Sequence, residues 1–125
     1  MNTGIKLRVQ VSCPMKNNAL VIQDSQNPAF DYSAFMTERN FIADYCNTGS
    51  KALSAFQNKR YRCVVVYMDM QNEDPLAIIN DLRSTEAAMG LPPTQILVVC
   101  KIRQPTQIEI EKFNIGGQIR SHRLP

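Results

Sequence analysis

The residues best suited to chemistry stand at the ends of apolar runs. Asp69 follows one run of β-prone residues, and Cys100 ends a second. Ser12 and Cys13 end a third run, just before a proline. If these runs are parallel strands, their carboxyl ends form the sheet edge where ligands bind, so the four residues form one candidate site. A lone carboxylate such as Asp69 could accept a phosphoryl group or hold a metal ion. Its position directly after an apolar run, taken alone, fits a loop or helix-capping role better.

The runs that position these residues are typical of strands in a parallel sheet. Residues 62–68 and 95–100 are β-prone runs that are continuously apolar after their first residue, which indicates central strands that are covered on both faces. Residues 7–13 alternate between apolar and polar types and are stopped by Pro14, so they predict the first strand. Residues 15–23 are then expected to form a helical turn or two.

Helices are predicted between the strands. Capping residues mark three helix starts, at Asp31, Ser50 and Asp74. The third helix has a proline in its first turn and is expected to end at Gly90. Its buried face is expected to carry Leu76, Ile79 and Leu82, which follow helical spacing.

The remaining elements complete an alternating pattern. Residues 41–46 predict a short strand, and residues 118–123 predict the last one. Residues 106–111 alternate like a strand, but the proline before them and the glycines after them favour a helix. Five strands separated by helices predict a doubly wound α/β architecture. The chain of 125 residues is expected to form one domain, residues 1–125.

The charge of the chain is unevenly distributed. Residues 1–100 carry nine Lys/Arg and nine Asp/Glu, whereas residues 101–125 carry five Lys/Arg and two Asp/Glu. The whole net charge of +3 therefore lies in the last fifth of the chain. This excess is small beside the phosphate contacts of nucleic-acid-binding proteins, and Phe113 is the only Phe, Tyr or Trp among residues 101–125. We therefore predict no nucleic-acid partner and a solvated edge instead.

Composition excludes several other classes of protein. Four cysteines without a Cys-x-x-Cys pair, together with a single histidine, give no zinc-ligand spacing, so reduced thiols are expected. No apolar run approaches the roughly 20 residues of a membrane-spanning helix. The first residues lack the apolar segment of a secretory signal. We therefore predict a cytoplasmic location and no membrane contact by this domain.

Two stretches of the middle third carry a family resemblance. Residues 43–53 and 61–71, the second ending in Tyr-Met-Asp-Met-Gln, resemble response-regulator receiver (CheY-like) domains. The resemblance implies a three-layer, CheY/flavodoxin-like fold with a five-stranded parallel sheet of order 2-1-3-4-5. It also implies that Asp69 occupies the position of the phosphoacceptor. The chain stops where the last helix of such domains would begin, so the last helix is expected to be missing.

Departures from the receiver pattern lie at the implied site. Ser12 and Cys13 stand where receivers carry an acidic pair that holds Mg²⁺, so Mg²⁺ binding is expected to be weak or absent. Cys100 replaces a hydroxyl residue that would bond the phosphoryl group, and a thiol is a weaker donor. The lysine after the last strand has no clean equivalent, although Arg123 could take its place. These changes are typical of a degenerate pseudo-receiver with Asp69 as a vestigial acceptor.

The resemblance leads to a functional prediction with two alternatives. We expect a non-catalytic regulatory or interaction module, not itself an enzyme, excised from a hybrid sensor histidine kinase of the GacS/BarA-like type. Its partner would be a kinase core or a neighbouring receiver domain, and the parent chain could be anchored at the inner membrane. The first alternative is a working receiver that is phosphorylated on Asp69, with Asp44, Glu73 or Asp74 lending a carboxylate to the metal. The second is a flavodoxin-like small-molecule binder at the same sheet edge.

Overall fold

A five-stranded, fully parallel sheet forms the centre of the molecule. The computed structural model describes residues 17–24 and 31–120. The strands are β1 (Asn18–Ile22), β2 (Ile42–Cys46), β3 (Cys63–Tyr67), β4 (Gln95–Cys100) and β5 (Gly117–Arg120). The helices are α1 (Tyr32–Glu38), α2 (Gly49–Asn58), α3 (Pro75–Met89) and α4 (Gln107–Phe113). The order β2-β1-β3-β4-β5 confirms the predicted doubly wound fold, and within the described residues no helix follows β5.

The first strand of this sheet does not lie where the sequence pattern placed it. We predicted a strand over residues 7–13, which lie outside the described residues, and a helical turn over residues 15–23. The helical prediction is wrong, because Asn18–Ile22 pairs with β2 on one side and with β3 on the other. Its last four residues are buried, as a strand with neighbours on both sides requires. The short apolar run at residues 19–22 satisfies that requirement.

The predicted central strands are confirmed. All five residues of β3 are buried, and β3 lies between β1 and β4. The register pairs Val64 with Ile96 and Val66 with Val98, and these four side chains are buried in the core. Burying each such side chain contributes roughly 1.5–3 kcal/mol relative to leaving it exposed. The centre of the sheet is therefore the rigid platform from which the strand-end residues project.

The helix ends largely follow the predicted capping signals. Asp31 and Asp74 cap α1 and α3, and Gly90 ends α3 in the left-handed conformation with φ of 68°. The cap of α2 is Thr48 rather than Ser50, because the Thr48 hydroxyl accepts the backbone N–H of the residue three positions on (3.1 Å). Residues 107–113 are helical, with a capping box formed by the two residues Thr106 and Glu109. None of the described helices is long and apolar enough to cross a membrane.

One buried ion pair connects α3 with its neighbours. Ile79 and Leu82 of the predicted face are fully buried, but the same helix also buries Glu86 at 4% exposure, which the apolar pattern did not indicate. Glu86 accepts from Arg83 Nη1 (2.8 Å) and from the backbone N–H of Thr94 (2.6 Å). The Arg83 guanidinium also donates to three backbone carbonyls, at residues 94, 113 and 114. The pair therefore joins α3 to the start of β4 and to the end of α4.

The edge strand β2 has a mixed surface. Ile42 and Tyr45 are exposed, although both belong to the strand. Asp44, at the middle of β2, accepts hydrogen bonds from the Tyr61 hydroxyl (2.7 Å) and from Lys59 Nζ (2.9 Å). These bonds attach the edge strand to the segment that leads into β3.

Candidate functional site

The carboxyl ends of the strands bring together a different set of residues from the predicted one. Gln23 and Asp24 follow β1, whereas Ser12, Cys13 and Arg123 lie outside the described residues. The residues that follow the first strand of the sheet are therefore an amide and an acid, and not the predicted serine and cysteine. The signal for Asp24 was present in the sequence, because it closely follows a short apolar run. Assigning the first strand to residues 7–13 hid that signal.

The same edge also carries residues at the ends of β3, β4 and β5, namely Tyr67, Asp69, Cys100 and Arg120. Tyr67 is the last residue of β3, and Asp69 stands two residues beyond it. Cys100 ends β4, as predicted, and Arg120 ends β5. Pairing of β3 with both β1 and β4 places the ends of these three strands side by side. The structure thus confirms that Asp69 and Cys100 lie at one edge of the sheet.

The carboxylate of Asp69 is bound by backbone N–H groups from the loop after β4. Its Oδ2 accepts from Lys101 (2.7 Å) and Ile102 (3.1 Å), and its Oδ1 accepts from Arg103 (2.8 Å). Bonds between an ionised acceptor and N–H donors are stronger than neutral ones. Both carboxylate oxygens are therefore engaged in fastening the β4–α4 loop to the end of β3.

Asp24 makes a similar connection between two other loops. Its Oδ2 accepts the backbone N–H groups of Gln71 (2.8 Å) and Asn72 (2.7 Å), which belong to the loop between β3 and α3. The loop after β3 is thus held from the β1 side by Asp24, while Asp69 holds the loop after β4. Both acids of this edge serve as acceptors for backbone amides.

The two buried side chains of the edge are not activated for nucleophilic chemistry. Burial raises the pKa of the Tyr67 hydroxyl, and the negative charges of Asp69 and Asp24 raise it further. Burial also raises the pKa of the Cys100 thiol, as does the charge of Asp69, while the positive charge of Arg120 acts in the opposite direction. Both groups therefore stay protonated near neutral pH. A reactive cysteine needs a lowered pKa instead.

Backbone N–H groups occupy most of the carboxylate oxygens that could coordinate a Mg²⁺ ion at this edge. Mg²⁺ requires near-octahedral oxygen coordination, generally with one or two carboxylates. Here three of the four carboxylate oxygens of Asp24 and Asp69 accept N–H bonds. Gln23 adds a buried amide oxygen that has no hydrogen-bond partner in the described structure, but it is neutral. Within residues 17–24 and 31–120, no cluster of three or more His, Cys, Asp or Glu side chains could hold a metal.

The carboxylates considered as substitute ligands are engaged elsewhere. Asp44 lies on the edge strand and accepts a hydrogen bond from the Tyr61 hydroxyl (2.7 Å). Hydrogen bonds from Lys59 and Tyr61 lower the pKa of this carboxyl. Glu73 Oε1 accepts the backbone N–H of Gly49 (2.9 Å). Asp74 caps α3. Each acid therefore has a local structural contact, and none of these contacts is with Asp69.

An exposed surface adjoins the edge and combines apolar with basic side chains. We define the β4–α4 surface by Lys101, Ile102, Arg103 and Ile108. Ile102 is 82% exposed and Ile108 is 76% exposed, although both are large apolar residues. Lys101 and Arg103 flank the first isoleucine and are also exposed. Because the backbone of residues 101–103 donates to Asp69, this surface is fixed to the end of β3.

The comparisons with known proteins concern the fold. No family model matches the sequence, and no curated protein matches it. A CheY-like receiver domain of a response regulator from Methylobacillus flagellatus superposes with a TM-score of 0.64, at 22% identity over 84% of this chain and 86% of that chain. The chemotaxis protein CheY4 of Vibrio cholerae superposes with a TM-score of 0.70, at 16% identity over 84% of this chain and 86% of that chain.

A sensor protein from a Polaromonas species is also similar. Its structure superposes with a TM-score of 0.67, at 17% identity, over 86% of this chain and 84% of that chain. Identities at this level establish shared architecture rather than shared chemistry. The sheet order, the parallel strands and the alternating helices agree with these structures. The chain therefore has the fold of CheY-like receiver domains.

Proposed function

We propose that the chain is a non-catalytic, receiver-like regulatory or interaction module of a two-component phosphorelay protein. The observation that carries this proposal is the engagement of both Asp69 oxygens by the backbone N–H groups of residues 101–103. A phosphoryl acceptor must present a carboxylate oxygen to the incoming phosphorus. Asp69 instead uses its oxygens to hold a loop. The domain itself would then not be an enzyme.

Electrostatics supports the same conclusion. Phosphoryl transfer relies on a metal ion to neutralise charge that develops on the phosphoryl oxygens. The acids that would hold Mg²⁺ here, Asp24 and Asp69, already accept backbone N–H bonds. These bonds compete with the metal for the lone pairs of the carboxylate oxygens. We therefore infer weak or absent Mg²⁺ binding.

The partner that we propose is a protein of the same signalling system. The β4–α4 surface offers two exposed apolar side chains, Ile102 and Ile108, and the basic Lys101 and Arg103 flank the first of them. Exposed apolar side chains rimmed by polar ones are typical of protein-interaction sites. A histidine kinase core or a neighbouring receiver domain could dock there. The net charge of +3 remains too small to favour nucleic acid.

The setting that we propose is a hybrid sensor histidine kinase. The similarity to a sensor protein from Polaromonas is consistent with such a parent chain. In that setting the domain would lie in the cytoplasm and make no membrane contact of its own. A flavodoxin-like role in binding a small molecule stays a prediction that a ligand-dependent rise in melting temperature would favour.

Magnesium and beryllofluoride titration tests the main proposal. Backbone amide resonances of ¹⁵N-labelled chain are followed while Mg²⁺, and then beryllofluoride, are raised into the millimolar range. We expect no saturable shift at Asp69 or at residues 101–103, because their N–H···carboxylate bonds persist. A saturable shift confined to these residues would overturn the proposal.

Phosphorylation of Asp69 is the second candidate function, and Asp24 is the observation that favours it. An acid does follow β1, and its charge reaches the end of β3, where it raises the pKa of Tyr67. Incubation with a phosphorylated histidine kinase, with Asp69→Asn as the control, separates the two candidates. Hydroxylamine-sensitive label on the wild-type chain alone would establish phosphorylation. Equal absence of label from both chains agrees with the non-catalytic module.

A further inference from the structure

A groove lies at the opposite edge of the sheet, where β3 and β4 begin. The register pairs Cys63 with Gln95, so the segments that lead into the two strands, residues 59–62 and 91–94, lie side by side. Between them is a cavity of about 300 Å³. That volume lies at the lower end of the range of ligand pockets. Residues that follow β3 and β4 do not contribute to it, so the groove is separate from the site described above.

The walls of the groove are apolar and stiff. Phe56, at 3% exposure, and Tyr61, at 8% exposure, contribute aromatic rings that are largely packed into the protein. Leu91 and the consecutive Pro92 and Pro93 complete the apolar lining. Proline has a fixed φ, so this wall loses little conformational entropy when a ligand binds. The cavity is thus suited to an apolar side chain.

The charged residues that line the groove are all basic. Its ten lining residues include Lys59, Arg60 and Arg62 but no Asp or Glu. Lys59 has a carboxylate partner in Asp44 (2.9 Å), whereas Arg62 Nη1 donates to the neutral amide oxygen of Asn17 (2.8 Å). The side chain of Arg60 is exposed and forms no hydrogen bond or ion pair with residues 17–24 or 31–120. Two arginines are therefore available to an anionic ligand.

We infer that this groove binds a segment of a partner protein in which an apolar side chain is flanked by aspartate or glutamate. The apolar side chain would enter the cavity between Phe56 and the two prolines. The carboxylates would bind Arg60 and Arg62, because guanidinium groups pair with carboxylates through two parallel hydrogen bonds. Charge complementarity selects this occupant over a basic segment. Because the β4–α4 surface lies at the other edge, both surfaces can be occupied at once.

A peptide titration of the full chain tests the inference. The probe is a capped octapeptide of alternating glutamate and leucine, and its matched control carries lysine in place of glutamate. We expect the acidic peptide to shift the amide resonances of residues 59–62 and 91–95, and the basic peptide to leave them unchanged. The affinity should fall as salt is raised, because the pairs are exposed.

Charge-reversal variants complete the test. Arg60→Glu and Arg62→Glu should each weaken binding of the acidic peptide by about tenfold or more. Lys51→Glu is the matched control, since it makes the same charge change at an exposed position near the start of α2 and should leave the affinity unchanged. Unfolding midpoints close to that of wild type show that the variants remain folded. Absent groove shifts, equal binding of both peptides, or equal weakening by all three variants would each overturn the inference.

Discussion

The two edges of the sheet are both held by charged side chains, but in different ways. At the amino edge, Glu86 binds Arg83 as well as the backbone N–H of Thr94, so an anion and a cation compensate each other in the interior. At the carboxyl edge, Asp69 is half-buried and binds three backbone N–H groups. The first arrangement is an ion pair that joins three elements. The second is a single carboxylate whose charge is stabilised by amide dipoles.

The difference shows that a carboxylate at a strand end can hold a loop without a basic partner among the described residues. A carboxylate at the end of β3 looks like an acceptor in sequence. In the structure its hydrogen bonds connect the end of β3 to the loop after β4. A residue type at the expected place is therefore weak evidence for chemistry unless its lone pairs are free. Variants at both edges can separate these roles by their effect on stability.

The largest effect is expected from Glu86→Gln at the amino edge. The amide would place its N–H donors against either Arg83 or the Thr94 N–H, and it would leave the largely buried guanidinium without its anion. Breaking a buried pair typically costs about 3–5 kcal/mol in the free energy of unfolding. Urea unfolding measures this cost, with Glu38→Gln at a 73% exposed side chain as the control. A loss as small as that of the control would show that the pair contributes little.

A smaller effect is expected from Asp69→Asn at the carboxyl edge. The amide nitrogen cannot accept an N–H bond, so one of the two oxygens that hold residues 101–103 is lost. Hydrogen bonds to charged groups contribute about 1.5–3 kcal/mol, so we expect a loss of about 2 kcal/mol. Urea unfolding is again the measurement, and Asp81→Asn on the exposed face of α3 is the control.

The result for Asp69→Asn also discriminates between functions. If Asp69 serves only as an acceptor for a phosphoryl group, the neutral variant should be as stable as wild type. Unchanged stability would therefore contradict the role of Asp69 as a loop anchor.

Gly90→Ala tests whether backbone geometry at the end of α3 matters as much as the ion pair nearby. Gly90 has φ of 68°, and a Cβ there would meet open space, so the expected cost is conformational alone. A left-handed conformation costs an alanine about 1–2 kcal/mol, and we expect a loss of about 1 kcal/mol. Thermal unfolding measures it, with Gly116→Ala, which lacks a positive φ, as the control. Equal effects of the two variants would refute the conformational explanation.

The smallest effect is expected from Asp44→Asn, which contrasts an exposed charge pair with the buried one. Hydrogen bonds from Lys59 and Tyr61 lower the pKa of Asp44 in the folded state below its ordinary value of 3.8. The stabilisation is therefore present above that value and is lost as the pH falls through the lower, folded-state pKa. Because the pair is exposed, we expect less than about 1 kcal/mol at neutral pH.

The measurement for Asp44→Asn is the stability difference between wild type and variant as a function of pH. The difference should shrink when the pH is lowered from neutrality to well below the ordinary aspartate pKa. A stability difference that grows on acidification would contradict a lowered pKa of Asp44 in the folded state.

The sequence allowed much of the fold to be predicted, and the exception has a clear cause. Continuous apolar runs gave β3 and β4, and capping residues such as Asp74 gave the helix starts. For the first strand the alternating run at residues 7–13 was preferred over the shorter apolar run within Asn18–Ile22. Because β1 has neighbours on both sides, a continuous apolar run predicts it better than an alternating one. That single misassignment moved the predicted acidic-pair position away from Asp24.

The site could be predicted only in part, since its bonds depend on long-range backbone geometry. Asp69 was placed at the sheet edge correctly. Its donors are amides of residues 101–103, which the pairing of β3 with β4 brings to it. Backbone N–H groups are the same in every sequence, so no residue type indicates this contact. The amino-edge groove escaped prediction for the same reason, because strand register assembles its two loops.

The position of Asp44 has a consequence for solubility. β2 is an edge strand, and its outer backbone groups, together with the exposed Ile42 and Tyr45, form a template on which another strand could pair. A charge at the middle of such a strand opposes that pairing, because a second copy would bring a like charge against it. The hydrogen bonds from Lys59 and Tyr61 lower the pKa of this carboxyl, so its charge is retained to a lower pH than that of an ordinary aspartate. We therefore expect Asp44 to oppose association of copies through this edge of the sheet.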